Sequence, residues 1–389
     1  MPQQSKTKAH TKKKKCEVIF QQINRHYIRM DKNERKENTD ILFAVLKELI
    51  NAMRRNDKLF DSLRPKLDFL GSYFDGLRVG KPTEYDINII LKFPVNYGKI
   101  KLDASNSPHD YTAIIMPPEF RRLGKVPLTV NQGFSKTHLW CNKEYKLSMK
   151  KFRSWMQSTV DVAINALPLE DGMRIIKLNN KQKYKVHTRS SGPANTITII
   201  KDNNDIIDID LVPTFTFVLP VVPINSNVDF TKVKSSNILR YFVVPKPNVD
   251  DYNWRLSFPF QERQLLKNRN NLKSTIKLIK HFRDVQGFTQ LSSYFIKTLF
   301  LWECASNDES YWNKHSLYFL VFNMLKKLSD RLSHHCIMNI WCPSHNVLEK
   351  IKPETCQNWH NRISHIIQYI ENRGHKNPEV IFEYFCKKS

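Results

Sequence analysis

The sequence has little glycine and no long apolar segment. Only 10 of its 389 residues are glycine, which excludes a glycine-rich low-complexity protein. No stretch reaches the roughly 18 consecutive apolar residues that a membrane-spanning helix needs. The basic start of the chain also lacks the apolar core of a signal peptide. We therefore expect a cytoplasmic protein that makes no use of a membrane.

Cysteine is present, but not in pairs. The seven cysteines are scattered and form no Cys-x-x-Cys motif, which argues against a disulfide framework and against a zinc ribbon. One segment has the ligand types of a zinc site, with histidines and cysteines between His334 and His345. Its spacing matches no standard site, and its middle, IMNIW, is apolar. We expect a structural role for it and no bound zinc.

Acidic residues are scarce relative to basic ones. The chain has 37 acidic and 62 basic residues and a formal net charge of +25. Residues 1–15 hold six lysines and no acid, so they are expected to be a disordered basic tail, and the remainder still carries +19. A folded body this basic favours a polyanionic partner, because phosphate binding releases condensed counterions. A generally solvated basic surface is the alternative.

The apolar pattern changes period along the chain. Helical spacing over 17–30 and 38–55 predicts a long N-terminal helix or a helix pair. The segments EYDINIILKF (84–93), TITIIKD and IIDIDLVPTF then have the patterns of strands, and the pattern becomes helical from about Asn237. This order predicts an α+β protein, with the tail at 1–15, a spine helix and mixed-sheet core at 16–236, and a helical C-terminal lobe at 237–389.

A Gly-Ser pair followed by two acids is the pattern that carries chemistry. Gly71 and Ser72 precede Glu84 and Asp86, which stand at alternate positions of a predicted strand and therefore point to one face. Paired carboxylates suit Mg²⁺, and two such ions can clamp a phosphoryl displacement. A third acid must come from another strand, and IDIDLVP offers Asp208 or Asp210. Glycine allows close backbone approach to a triphosphate, and the serine hydroxyl can bind it.

These motifs resemble the cyclic GMP-AMP synthase/Mab-21 group of nucleotidyltransferases. The likeness rests first on GSYF (71–74) and TEYD (83–86), and it continues in order along most of the chain. The resemblance implies a bilobed nucleotidyltransferase fold, with a catalytic lobe, a spine helix and a helical lobe. The other matching segments are Ser191–Ala194, Ile209–Pro213, Val243–Lys246, Trp254–Phe258, Leu278–Lys280 and Ser292–Thr298.

The resemblance also implies roles for single residues. Glu84, Asp86 and Asp210 would hold two Mg²⁺ or Mn²⁺ ions, and Asp208 becomes a candidate for a supporting position. The residues implied in nucleotide binding are Gly71, Ser72, Arg255, Ser257, Lys280, Ser293 and Tyr294. Arg255 and Ser257 would read a base edge, and Tyr294 would stack on a base.

The chain departs from vertebrate-type members of this group in one place. Those members carry a His/Cys zinc-binding thumb, whereas residues 260–280 here contain neither histidine nor cysteine. This departure favours an invertebrate cGAS-like receptor without the thumb, for which double-stranded RNA is the expected activator. The candidate RNA-binding cations are Arg25, Arg29, Arg54, Arg55, Lys58, Lys267, Arg269 and Lys273. Arg25 and Arg29 are four apart and would share a helix face.

The leading hypothesis is therefore an innate immune sensor. It would make cyclic GMP-AMP from ATP and GTP when double-stranded RNA binds, with possible oligomers on the RNA. The alternatives are a catalytically silent Mab-21-like interaction protein, a DNA-activated or constitutive nucleotidyltransferase, and an RNA-tailing or oligoadenylate-synthesising enzyme. The last class typically carries DxD, whereas this chain has ExD.

Overall fold

A computed structural model describes residues 15–123, 134–178, 182–201, 204–374 and 376–386. The α+β class is confirmed, and the chain divides into two compact units. One unit consists of Asp31–Asp75 and Pro82–Gln261 and is called here the sheet unit. The other consists of the residues up to Met30, Gly76–Lys81 and the chain from Glu262 onward, and is called the helical unit. The expected tail lies, except for Lys15, outside the described residues.

The sheet unit is built on eleven strands among the described residues. Strand β2 lies parallel to β9, and the other strand pairs run antiparallel. The strands are Lys66–Leu70 (β1), Glu84–Ile90 (β2), Lys101–Asp103 (β3), Tyr111–Ile115 (β4), Leu169–Glu170 (β5), Met173–Lys177 (β6), Lys183–Ser191 (β7), Ala194–Ile200 (β8), Ile206–Val218 (β9), Arg240–Val244 (β10) and Trp254–Ser257 (β11).

Helices flank the sheet and form most of the helical unit. The helices are 15–23 (α1), Lys32–Asn56 (α2), Lys58–Ser62 (α3), Gly71–Phe74 (α4), Pro118–Leu123 (α5), Met149–Asn165 (α6), Phe230–Ser235 (α7), Pro259–Leu265 (α8), Leu272–Val285 (α9), Ser293–Ser306 (α10), Glu309–Lys314 (α11), Leu317–Ser333 (α12), Pro353–Arg373 (α13) and Val380–Cys386 (α14). In the described part of the chain, no helix is long and apolar enough to cross a bilayer.

Of the two arrangements predicted for the N-terminal region, the structure has the pair of helices. The first ends in a π-helical turn, Asn24–Ile28, and its residues belong to the helical unit. The second, α2, begins at Lys32 because the side chain of Asp31 accepts hydrogen bonds from the backbone N–H groups of Asn33 and Glu34. The apolar face predicted for α2, from Ile41 to Ile50, is buried in the sheet unit.

The expected change to helix at residue 237 is wrong for the next twenty residues. Strands β10 and β11 lie after that point and belong to the sheet, and the sheet unit ends only at Gln261. These strands are five and four residues long, too short for an alternating pattern to stand out. Tertiary packing holds them in place: Trp254 of β11 is fully buried, and its indole N–H donates to the carbonyl of Leu147.

Candidate active site

Two adjacent strands bring four acidic residues to one face of the sheet. In the parallel pairing of β2 with β9, Asp86 lies beside Asp210, and Glu84 lies beside Asp208. Neighbouring strands are about 4.8 Å apart, and side chains two residues apart on a strand share a face. The strand register therefore places the ExD pair of β2 against the DxD pair of β9. The sequence predicted this meeting without fixing the register.

Hydrogen bonds distinguish the two acids of β9. Asp208 is engaged at both carboxylate oxygens: the Thr198 hydroxyl donates to Oδ1 at 2.6 Å, and the Arg189 guanidinium donates to Oδ2 at 2.9 Å. At Asp210, the Thr196 hydroxyl donates to Oδ1. Among the described residues, no further donor reaches the second oxygen of Asp210. Asp208 thus has two side-chain donors and Asp210 has one, and the choice of Asp210 as the third metal-binding acid, which the family likeness implied, stays a prediction.

The environment of Asp210 is unfavourable to its negative charge. Burial raises the pKa of Asp210 above its ordinary value, and repulsion from Glu84 and Asp208 raises this pKa further. The hydrogen bond from Thr196 opposes the shift by stabilising the carboxylate. Closely placed carboxylates of this kind are stabilised when a cation lies among them, which is the electrostatic requirement of a metal site.

Gly71 makes room for one of these carboxylates. It follows β1 at the start of α4 and has a φ of +76°, a conformation that residues with a side chain rarely adopt. A Cβ added there would stand 1.6 Å from Oδ2 of Asp86 and 2.4 Å from its Cγ. Any side chain at position 71 would therefore force the Asp86 side chain or the turn after β1 to shift. The adjacent Ser72 is half-buried at the same turn.

The donor set fits a hard divalent cation. Glu84, Asp86 and Asp210 supply carboxylate oxygens, the ligands that Mg²⁺ and Mn²⁺ prefer. No cysteine or histidine occupies the strand positions concerned, so the set lacks the nitrogen and sulfur ligands typical of zinc. The crowding of negative charge at Asp210 agrees with this interpretation.

The two residues predicted to read a base edge lie on β11. Arg255 and Ser257 are two apart and are both half-buried on one side of the strand. The guanidinium of Arg255 donates from Nε to the buried carboxylate of Asp110 at 3.0 Å. A planar guanidinium held by a carboxylate has a defined orientation. Asp110 therefore fixes the direction in which Arg255 presents its other N–H groups.

The remaining predicted nucleotide contacts lie in the helical unit. Lys280 of α9 is buried, and its ammonium donates to the carbonyl of Leu77 at 2.9 Å. Ser293 stands in the first turn of α10 and accepts a hydrogen bond from Arg283, and Tyr294 next to it is half-buried. The structure therefore shows Lys280 anchoring the segment Gly76–Lys81. Triphosphate binding by Lys280 and base stacking by Tyr294 stay predictions.

Comparisons with known proteins agree with this arrangement. The Mab-21 protein nucleotidyltransferase domain matches residues 73–268, and the Mab-21 protein HhH/H2TH-like domain matches residues 271–365. This chain belongs to the Mab-21 nucleotidyltransferase family. The strands that carry Glu84, Asp86 and Asp210 lie within the first of these matches, and helices α9 and α10 lie within the second. The chain is accordingly a nucleotidyltransferase.

Several relatives of this Mab-21 family chain resemble it over most of its length. A cyclic GMP-AMP synthase-like receptor of Tribolium castaneum is 32% identical over 387 residues, covering 96% of this chain and 92% of the relative. The receptor of Aethina tumida is 30% identical over 377 residues, covering 95% and 91%. Cyclic GMP-AMP synthase-like receptor 1 of Drosophila erecta is 30% identical over 325 residues, covering 82% and 68%.

The zinc thumb expected in vertebrate-type members has no counterpart between α8 and α9 of this chain. Helix α8 ends at Leu265 and α9 begins at Leu272, so six residues connect them. This connection is too short to hold an inserted metal-binding element. The absence of bound zinc elsewhere in the protein stays a prediction, which elemental analysis can test.

Most of the cations predicted to bind RNA are exposed, but Arg25 and Arg29 do not share a helix face, and Arg269 is bound within the protein. Arg25 lies in the π-helical turn, and Arg29 follows it with an extended backbone, so the expectation that they share an α-helical face is wrong. Arg269 forms hydrogen bonds within the protein and is therefore not free to bind RNA. Its guanidinium donates to the backbone carbonyls of Leu265, Lys267 and Cys304 within the helical unit. The exposed members are Arg25, Arg29, Arg54, Arg55, Lys58, Lys267 and Lys273.

Replacing Arg269 by Ala should therefore destabilise the helical unit. The change leaves several backbone carbonyls without a charged donor. Each such hydrogen bond contributes at most about 1.5–3 kcal/mol to the free energy of unfolding. We expect a clear fall in the midpoint of thermal unfolding. Lys267→Ala, which removes an exposed cation two residues away, is the matched control and should leave the midpoint almost unchanged. Equal midpoints for the two variants would show that Arg269 has no structural role.

Four residues of the site were not predicted from the sequence. Thr196 and Thr198 occupy alternate positions of β8, and the spacing argument that identified the acids could have found them too. Arg189 and Asp110 gave no comparable signal. Asp110 is 145 residues from Arg255, and Arg189 reaches Asp208 across β8, so only the folded sheet brings each pair together.

Proposed function

We propose that this nucleotidyltransferase makes cyclic GMP-AMP from ATP and GTP when it binds double-stranded RNA. It would serve in the cytoplasm as an innate immune sensor in antiviral defence. The observation that carries the proposal is the strand register that places Asp86 beside Asp210, with Gly71 against the Asp86 carboxylate. The name of the relatives, cyclic GMP-AMP synthase-like receptor, supports the choice of product and the receptor role.

Glu84, Asp86 and Asp210 would hold two Mg²⁺ or Mn²⁺ ions. Such ions neutralise the charge that develops on a transferred phosphoryl group and stabilise its attacking and leaving oxygens. The protein's own part is to fix the carboxylates. Strand pairing sets the spacing between β2 and β9, Thr196 orients Asp210, and Gly71 lets Asp86 adopt its position without a clash.

We propose nucleotide-binding roles for seven residues, taken unit by unit. We assign triphosphate binding to Ser72 with the backbone at Gly71, because a glycine with positive φ and a hydroxyl together suit phosphate oxygens. Arg255, oriented by Asp110, and Ser257 would read a base edge. In the helical unit, Tyr294 would stack on a base, and Lys280 and Ser293 would contact phosphate.

Double-stranded RNA is the activator that the charge distribution and the family likeness support. The chain outside residues 1–15 carries a net charge of +19, far more than a nucleotide pocket requires. Proteins recognise A-form RNA mainly through its backbone and shape, so exposed lysines and arginines without base-reading geometry suit this ligand. Several copies of the protein would then be able to bind one long RNA.

The test of this activator compares double-stranded RNA with double-stranded DNA of equal length at near-physiological salt. We expect the RNA to stimulate synthesis of the cyclic dinucleotide and the DNA to have little effect. Stimulation by DNA alone, or the same rate without nucleic acid, would contradict the RNA-sensor proposal. The nucleotidyltransferase chemistry would be unaffected by either result.

Neutralising exposed cations should weaken RNA binding in proportion to their number. In an Arg55→Gln/Lys58→Gln variant, each phosphate contact that is lost should reduce the slope of log affinity against log salt concentration by roughly 0.7–0.9. The matched control is Lys177→Gln/Lys183→Gln, because both lysines are already paired with Glu170. An unchanged slope for the first variant would remove Arg55 and Lys58 from the RNA-binding surface.

A further inference from the structure

A fourth acid, Asp208, lies on the face of the sheet that carries the other three acids, but it forms an ion pair with Arg189. Asp208 lies beside Glu84 in the register of β2 with β9, two residues before Asp210 on the same face. Arg189 donates to its Oδ2 at 2.9 Å, and the hydroxyl of Thr198 donates to its Oδ1 at 2.6 Å. Both oxygens of this carboxylate are therefore directed toward β7 and β8 rather than left to a metal ion.

Arg189 reaches this acid across an intervening strand. It pairs with Thr196 in the register of β7 with β8, and Thr196 pairs with Asp210 in the register of β8 with β9. The guanidinium thus extends over β8 to the next pair of residues along β9. Its side chain is 59% exposed, whereas that of Asp208 is 25% exposed. The charge of Arg189 is also among those that act on Asp210.

A fourth carboxylate on the same face of the sheet can compete with the other three for a metal ion. A divalent ion accepts any accessible carboxylate oxygen, and Asp208 is as near to Glu84 as Asp210 is to Asp86. An unrestrained Asp208 would compete to coordinate the ion and draw it away from the position that the other three acids define. The guanidinium removes this competition by neutralising the charge of Asp208 and fixing its rotamer.

We propose that Arg189 is a positioning residue that keeps Asp208 out of the metal coordination and so restricts the site to Glu84, Asp86 and Asp210. The inference rests on the proposed two-metal function and goes beyond it, since it concerns which acids are available. The other role open to an exposed arginine beside this site is direct binding of a substrate phosphate. The two roles predict different behaviour in a protein free of nucleotide.

The experiment measures Mn²⁺ binding to the nucleotide-free full-length protein by electron paramagnetic resonance. Arg189→Gln exposes an additional negative charge, and a unit charge within about 10 Å of a divalent ion lowers the ion's dissociation constant by at least roughly fourfold at the dielectric constant of water. We expect Mn²⁺ to bind Arg189→Gln at least about fourfold more tightly, while kcat falls at least about tenfold because the ion is misplaced.

Removing the partner acid should reverse both effects. Adding Asp208→Asn to Arg189→Gln should bring Mn²⁺ affinity and kcat back to within about threefold of wild type, since no uncompensated charge remains. Arg189→Lys should retain most of the activity because it keeps the charge. Lys183→Gln, a neutralised cation on the same strand that pairs with Glu170, is the matched control and should bind Mn²⁺ like wild type.

The opposite pattern would overturn the inference. If Arg189→Gln leaves Mn²⁺ affinity unchanged, raises KM for nucleotide and is not rescued by Asp208→Asn, then Arg189 contacts substrate phosphate instead. A failure of the underlying function is distinguishable. In that case wild-type protein would show no Mn²⁺ binding that depends on Asp86, whatever residue occupies position 189.

Discussion

Replacing Asp86 by Asn should reduce dinucleotide synthesis at least about 100-fold, which corresponds to roughly 2.7 kcal/mol of transition-state stabilisation. Asp86 lies beside Asp210 across the β2–β9 pair, so the change removes a ligand from the centre of the proposed metal site. Glu84→Gln and Asp210→Asn should have comparable effects. The measurement is the initial rate of product formation at saturating ATP, GTP and Mg²⁺.

The folded state should survive these substitutions. Burial and the charges of Glu84 and Asp208 raise the pKa of Asp210, so these carboxylates repel one another in the protein without metal. Removing one of them relieves repulsion and should leave the thermal midpoint equal to or above that of wild type. Asp208→Asn is the control on the same face and should cost less than about tenfold in rate. Turnover above a few per cent in Asp86→Asn, or a larger loss in Asp208→Asn, would contradict the assignment.

Gly71→Ala should abolish activity through a single added methyl group. The new Cβ would stand 1.6 Å from Oδ2 and 2.8 Å from Cβ of Asp86, so either the Asp86 side chain or the β1–α4 turn has to move. The positive φ of +76° adds about 1–2 kcal/mol of backbone strain. We expect a rate loss of at least about 100-fold together with a lower thermal midpoint, because displacement of a ligand by about 1 Å is enough for such a loss.

A second glycine separates the strain from the clash. Gly172 has a φ of +74°, and nothing lies within 4 Å of the position of its Cβ. Gly172→Ala should therefore show the backbone cost alone, with a modestly lower midpoint and near wild-type activity. If Gly71→Ala behaves like Gly172→Ala, contact with Asp86 is not what requires glycine at position 71.

The elements that carry the chemistry could be predicted because their patterns are strong. The runs around Glu84 and Asp210 alternate polar and apolar residues over positions 84–88 and 207–211, so the period of two and the shared face were both visible in the sequence. The helical spacing of α2 was equally clear. The residue pattern alone left open whether Asp208 or Asp210 is the third metal-binding acid. Hydrogen bonding distinguishes the two acids only in the folded sheet, where Asp208 has two side-chain donors and Asp210 has one, and the choice of Asp210 stays a prediction.

The features that were missed leave little signal in the local sequence. Strands β10 and β11 are too short to show a period, so the expected helical region began too early at residue 237. The π-helical turn at Asn24–Ile28 ends the first helix before Arg29, although the sequence there reads as continuous helix. Arg269 looked like an RNA-binding cation, since nothing in the local sequence shows that backbone carbonyls from Leu265 to Cys304 surround it.

The acids of β2 and β9 are proposed to join ATP and GTP into a cyclic dinucleotide. The most direct measurement incubates the protein with the four nucleoside triphosphates, Mg²⁺ and double-stranded RNA, and identifies the product by mass spectrometry and nuclease digestion. We predict cyclic GMP-AMP from the wild-type protein and no product from Asp86→Asn. A linear homopolymer, or the absence of any nucleotide product from correctly folded wild-type protein, would contradict the claim.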